Sequence, residues 1–143
     1  MRRSSTELKK KPGLRIIFAD MSNLPAHEII VGDFINWQPF YDLYIVNENV
    51  VVTIEIAGVD INDFSIYLGK IYMIIDGIRK SPNVLNKEDC VFHNLEIPYG
   101  RFNRKIDFPA PIEPRGYQYR IENGILTLRF PILKEKIIPI EEG

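Results

Sequence analysis

Cysteine is nearly absent from this chain: Cys90 is the only one in 143 residues. A single thiol excludes an internal disulfide, so the fold must rest on its own core, and a reducing compartment is the simplest expectation. Histidine is scarce as well, with only His27 and His93. Neither stands with Cys90 at a zinc-type spacing, so both are read as structural. No nucleophile elbow, phosphate-binding loop, dinucleotide fingerprint or His-Glu-x-x-His motif occurs. The expectation is a protein without a catalytic site, cofactor or metal. An excess of one charge is missing too: 18 Lys and Arg stand against 19 Asp and Glu. That balance gives no reason to expect nucleic acid or an acidic membrane as partner. No stretch approaches the roughly 18 apolar residues of a membrane span. Residues 1–7 are basic but lead into no apolar signal core, so a cytoplasmic protein is expected.

A length of 143 residues suits one domain with short tails. Residues 1–36 read as an irregular arm without a clean 3.6-residue period. Its basic cluster (Arg2, Arg3, Lys9, Lys10, Lys11, Arg15) is read as a solvated tail. Two apolar knots are less bland: Ile16-Ile17-Phe18, then Ile29-Ile30-Val31 followed by Phe34 and Ile35. Such residues without a scaffold of their own tend to find another surface.

From Phe40 the pattern turns to β. Val50, Val52, Ile54 and Ile56 alternate with Val51, Thr53 and Glu55, the period of a strand with one buried face. Asn47, Glu48 and Asn49 before it are turn formers. Phe64, Ile66 and Leu68 repeat the alternation, and Gly69-Lys70 predicts a two-residue hairpin into Ile71–Ile75. Residues 81–89 read as a loop, and residues 91–97 as a short strand stopped by Pro98. Phe102, Arg104, Ile106 and Phe108 share a face of the next strand. Tyr117, Tyr119 and Ile121 share one on the strand after that. Asn123-Gly124 then predicts a tight hairpin into residues 125–130, because both residues tolerate positive φ. Many short strands with turns between them predict a β-sandwich or barrel.

Six stretches in register carry a resemblance. They are Trp37-Gln38-Pro39-Phe40-Tyr41-Asp42-Leu43-Tyr44, Ile56-Ala57-Gly58-Val59-Asp60-Ile61-Asn62-Asp63-Phe64, Tyr99-Gly100-Arg101-Phe102-Asn103-Arg104, Phe108-Pro109, Glu122-Asn123-Gly124-Ile125-Leu126-Thr127-Leu128, and Ile138-Pro139-Ile140. In order and spacing the chain resembles the α-crystallin domain of small heat shock proteins (the Hsp20 family). Ala57, Ile132 and Tyr119 depart from the family pattern. The resemblance implies an all-β, immunoglobulin-like antiparallel sandwich over residues 37–133, behind an N-terminal arm (1–36) and before a C-terminal extension (134–143). It also implies a dimer-based oligomer that holds partly unfolded client proteins without ATP.

The resemblance assigns three contacts. Ile138, Pro139 and Ile140 would plug into a groove lined by Ile66, Leu68, Tyr119 and Ile121. Both Ile side chains of such an extended segment point one way, and Pro139 favours the extended backbone. Val91, Phe92, His93 and Leu95 would cross to a partner's strand near Tyr41 and Leu43, although an intrachain hairpin stays open at this point. Arg104, a charge on an apolar face, would need a carboxylate partner at or beside that dimer contact. Client binding would fall to Ile16, Ile17, Phe18, Ile30, Phe34 and Trp37. Two other readings use the same sandwich: a p23-like co-chaperone adaptor, which has no need of Ile138-Pro139-Ile140, and a structural coat relative.

Overall fold

Val50, Val52 and Ile54 stand opposite Phe130, Leu128 and Leu126 in an antiparallel register, and all six are fully buried. These two strands, β3 (Asn49–Glu55) and β8 (Ile125–Pro131), form the middle of one sheet. Strand β2 (Tyr41–Val46) flanks β3 and β7 (Gln118–Glu122) flanks β8, giving the order β2-β3-β8-β7. The second sheet has the order β1-β4-β5-β6 and contains β1 (Arg15–Phe18), β4 (Phe64–Leu68), β5 (Tyr72–Arg79) and β6 (Gly100–Asp107). Phe64, Ile66, Leu68, Met73, Ile75, Phe102 and Ile106 face the first sheet and complete one continuous core. The chain is therefore an all-β sandwich of two four-stranded sheets, seen in a computed structural model that describes residues 13–19, 35–83 and 88–134.

Local chemistry explains the turns. Asn123 (φ 53°) and Gly124 (φ 79°) form the predicted tight turn between Glu122 and Ile125. Asn47 (φ 49°) and Glu48 (φ 62°) do the same between β2 and β3. Gly77 answers to a close approach instead: a Cβ there would lie 2.5 Å from Phe64 Cβ and 2.6 Å from the Asp63 carbonyl oxygen.

Three expectations need correction. The β4–β5 turn falls one residue later than Gly69-Lys70: the last ladder pair is Leu68 with Met73, and the Gly69 N–H donates to the Tyr72 carbonyl at 2.9 Å, which leaves Lys70 and Ile71 at the tip. The carbonyls of Lys70 and Ile71 are drawn to the Ile112 and Phe108 amides, which fixes that tip. Residues 91–97 form no strand; all seven are exposed. Residues 15–18 are not irregular: β1 pairs in parallel with β4, from Arg15 opposite Ser65 to Phe18 opposite Leu68.

Candidate functional site

The groove assigned to the tail lies between β4, the strand next to the β1 edge of its sheet, and β7, the edge of the other sheet. Ile66 and Leu68 are its floor and are fully buried, while Tyr119 and Ile121 stand on its far wall at 40% and 37% exposure. Residues 14–18 of the same chain lie in it. Ile16 and Phe18 alternate with Arg15 and Ile17, so one face of β1 packs on the core and the other looks out. Arg15 Nε donates to Ser65 Oγ at 2.6 Å, and the Ala19 N–H donates to the Leu68 carbonyl at 2.8 Å. On the β7 side the Leu14 N–H reaches the Tyr119 hydroxyl at 3.4 Å. The Phe18 ring lies 6.3 Å from that of Tyr117, with the Arg115 guanidinium 4.4 Å above it. Three residues expected to bind clients thus sit in the groove expected to bind the tail. Ile30, Phe34, Ile138, Pro139 and Ile140 lie outside the described residues.

The opposite seam is built differently. Strand β2 is a sheet edge with Tyr44 46% and Ile45 50% exposed, and Phe40, just before it, is 80% exposed. Tyr41 and Leu43 alternate inward and pack against the core. The loop entering from β5 leaves Val91, Phe92, Leu95 and Ile97 at 76%, 47%, 62% and 64% exposure. His93 is exposed among them. The structure brings Arg104 to Tyr41 but does not bring Val91, Phe92, His93 and Leu95 to β2 within one chain.

Within its own chain Arg104 has neutral partners. Its Nη1 donates to the Pro39 carbonyl at 3.1 Å, and its guanidinium lies 4.7 Å from the centre of the Tyr41 ring. A half-buried cation is satisfied this way because a carbonyl and a π-face both present negative charge. Trp37 is half-buried: its Nε1 donates to the Gly100 carbonyl at 3.1 Å, and its ring meets that of Phe102 at 4.9 Å.

Arg79 was not anticipated. At 7% exposure its Nε and Nη2 both donate to the Pro98 carbonyl, at 3.0 and 2.8 Å, and its Nη1 donates to Ala57 at 2.9 Å. The guanidinium also stacks 4.0 Å from the Trp37 ring centre. It clamps the base of the exposed loop to the end of β3. The only sequence signal was a cation closing an apolar β run.

The root of the C-terminal extension is fixed beside the β2–β3 turn. The Ile132 N–H donates to the Glu48 carbonyl at 3.0 Å, and Lys134 Nζ meets Glu48 Oε1 at 2.8 Å. That hydrogen bond, and then the charge of Lys134, hold the Glu48 carboxyl below its usual range, while Glu48 raises Lys134 in turn. Among the described residues no cluster of three or more His, Cys, Asp or Glu is placed to hold a metal. No helix there is long and apolar enough to cross a membrane.

Known proteins match both the sequence and this arrangement. The small heat shock protein C2 of Rickettsia felis is 27% identical over 96 residues, 67% of this chain and 61% of its own, so the chain spans about three-fifths of that relative. Among solved structures, a small heat-shock protein from Xylella fastidiosa superposes with a TM-score of 0.63 at 24% identity, covering 76% of this chain and 98% of the other. Heat shock protein 16.0 from Schizosaccharomyces pombe does so with a TM-score of 0.61 at 24% identity, covering 73% and 99%. Both show the same sandwich. Residues 44–141 match the family model described as Hsp20/alpha crystallin family, and this chain belongs to that family.

Proposed function

We propose that this protein is an ATP-independent holdase, which binds partly unfolded clients and keeps them from aggregating while working as a dimer-based oligomer. Family membership supports a chaperone role. One observation carries the finer reading: the core is buried, yet Phe40 and Ile45 at the β2 edge, and Val91, Leu95 and Ile97 in the loop after β5, are left half or more exposed. Surface of that kind marks an interaction site, and the open edge of β2 offers main-chain N–H and C=O groups to a further strand. Residues 91–97 of a second copy fit that edge, since exchange of an identical element covers both at once. The dimer contact then comprises Val91, Phe92, His93 and Leu95 of one protomer against Tyr41 and Leu43 of the other, with Arg104 beside it.

Higher assembly follows from the extension (134–143). Each Ile of Ile138-Pro139-Ile140 contributes about 1.5–3 kcal/mol when buried in the β4–β7 groove. Ordering the segment offsets part of that, so a single plug exchanges readily and many plugs hold by avidity. Clients take the remaining apolar surface in the cytoplasm, including Ile16, Ile17 and Phe18 when these leave their present contacts.

Heating a model client without nucleotide, and following light scattering, tests the activity directly. Suppressed scattering is expected, and full client aggregation refutes the holdase. Removing residues 135–143 should shrink the particle. Arg104→Ala, which loses its bond to Pro39 and its place over Tyr41, should loosen the dimer by about 1–2 kcal/mol. An unchanged dimer in sedimentation would remove Arg104 from the contact.

A further inference from the structure

Residues 14–18 fill the groove that the proposed function gives to the tail. The two segments share a pattern. Ile16 and Phe18 are separated by one residue, as are Ile138 and Ile140, so each offers two apolar prongs on one side of an extended chain. One groove cannot hold both. We infer that residues 14–18 form a replaceable strap: the chain's own ligand for the β4–β7 groove, displaced when the tail of another copy docks. This rests on the tail-groove reading and adds a coupling to it. Docking of a tail evicts Ile16 and Phe18, so assembly and the release of an apolar arm become one event.

The attachments of the strap fit a part that can leave. Strand β1 has four residues and, among the described residues, pairs on one side only, to β4. Its inward prongs are half-buried rather than sealed like Ile66 and Leu68 beneath them. Segments with few buried contacts open at far lower cost than core strands. Charge favours the proposed replacement. Arg115 caps Phe18 on the β7 side of the groove, and the tail carries Glu141 and Glu142 directly after its second prong. A tethered ligand acts at an effective concentration on the order of millimolar for a short link. A lone tail in trans therefore binds more weakly than it would to an empty groove, whereas many tails presented together bind well. The apparent affinity of the groove for a free tail is lowered by the fraction of strap that is open.

A disulfide lock separates the possibilities. Ile17 and Tyr67 are register partners on adjacent strands. Paired strands lie about 4.7–4.9 Å apart, within the Cα separation a disulfide accepts. The full chain is made with Cys90→Ser, Ile17→Cys and Tyr67→Cys, together with Ile138→Ala and Ile140→Ala so that its own tail is silent. A fluorescent peptide of residues 134–143 is the probe. The expected result is no binding to the oxidised protein and recovered binding after reduction. A second variant, Phe18→Ala in the same silent-tail background without the cysteines, should bind the peptide about tenfold more tightly than its parent. Equal binding to the locked, reduced and Phe18→Ala proteins overturns the strap and leaves the groove reading standing. No binding to the reduced protein or to Phe18→Ala overturns the groove reading, and the strap with it.

Discussion

At the β4–β7 seam, Ile66 and Leu68 are sealed beneath the chain's own residues 14–18. At the β2 edge, Phe40 is 80% exposed, and in the separate 91–97 loop the apolar residues stand clear of the core. Both seams flank one core of Val52, Ile54, Leu126 and Leu128, so core quality does not distinguish them. The difference lies in what the chain can supply to itself. A segment with two alternating prongs fits beside β4 in cis. The loop carrying Val91, Phe92 and Leu95 is clamped at its base by Arg79, away from its own β2. A seam that cannot be closed in cis must be left to water or to a second molecule, and water is a poor partner for so much apolar surface.

Replacing Phe92, Leu95 and Ile97 together with Ser breaks this comparison most severely. If a second copy covers the open seam, the dimer should vanish in sedimentation velocity while the circular dichroism of the sandwich persists. A dimer that survives all three changes would mean that the bare seam is simply solvated. Arg79→Met should have the next largest effect. It removes three hydrogen bonds to Pro98 and Ala57, and the stacking on Trp37. Leaving those carbonyls unsatisfied, and losing the cation–π contact, should cost about 2–4 kcal/mol by urea unfolding. The result also sharpens the contrast. If the clamp aims the loop outward, Arg79→Met should weaken the dimer by more than the lost protomer stability explains.

The sequence made the central strands legible because their rules are local. Period-2 alternation identified β3 and β8, and Asn123-Gly124 marked their neighbouring hairpin through a backbone preference of two residues. The motifs in register supplied the sandwich. The edges were not legible in the same way. Strand β1 exists only by pairing with β4, and the partner of Ile16 is Ile66, far along the chain. Nothing near residue 16 encodes that. Trp37 looked like a loose aromatic because Arg79 and Gly100, which hold it, are remote in sequence. Arg104 shares the inward face of β6 with Phe102 and Ile106, as its spacing suggested, and within the chain a carbonyl and a ring attend it. Residues 91–97 have strand-like composition, yet a strand also needs an edge within reach.

The smallest effect is expected where the two seams are joined by the chain itself. The extension leaves the sandwich at the tip of the β2–β3 hairpin, beside the open seam, through Glu48 and Lys134. Glu48 holds a left-handed backbone there (φ 62°), a conformation better suited to Gly or Asn. Its carboxyl titrates below the ordinary 4.5, chiefly through the hydrogen bond from Lys134 and then through its charge. Lys134 titrates above its ordinary 10.5 for the reciprocal reasons. A lowered carboxyl contributes fully above 4.5, and its contribution is lost as pH falls through the depressed value. A raised amine contributes fully below 10.5, and its contribution is lost as pH rises through the elevated value. The clasp is therefore complete across the neutral range and opens only toward the acid and alkaline ends. Both groups face solvent, so the global melting temperature should barely respond to Lys134→Ala. The local readout should respond. An NMR titration of Glu48 should move up to about 4.5 in Lys134→Ala. It should move most of the way in the parent protein at molar salt, where screening acts over about 3 Å. If Glu48 titrates identically in both proteins, the clasp does not set the direction of the tail, and the β2–β3 turn holds the extension through the Ile132 amide alone.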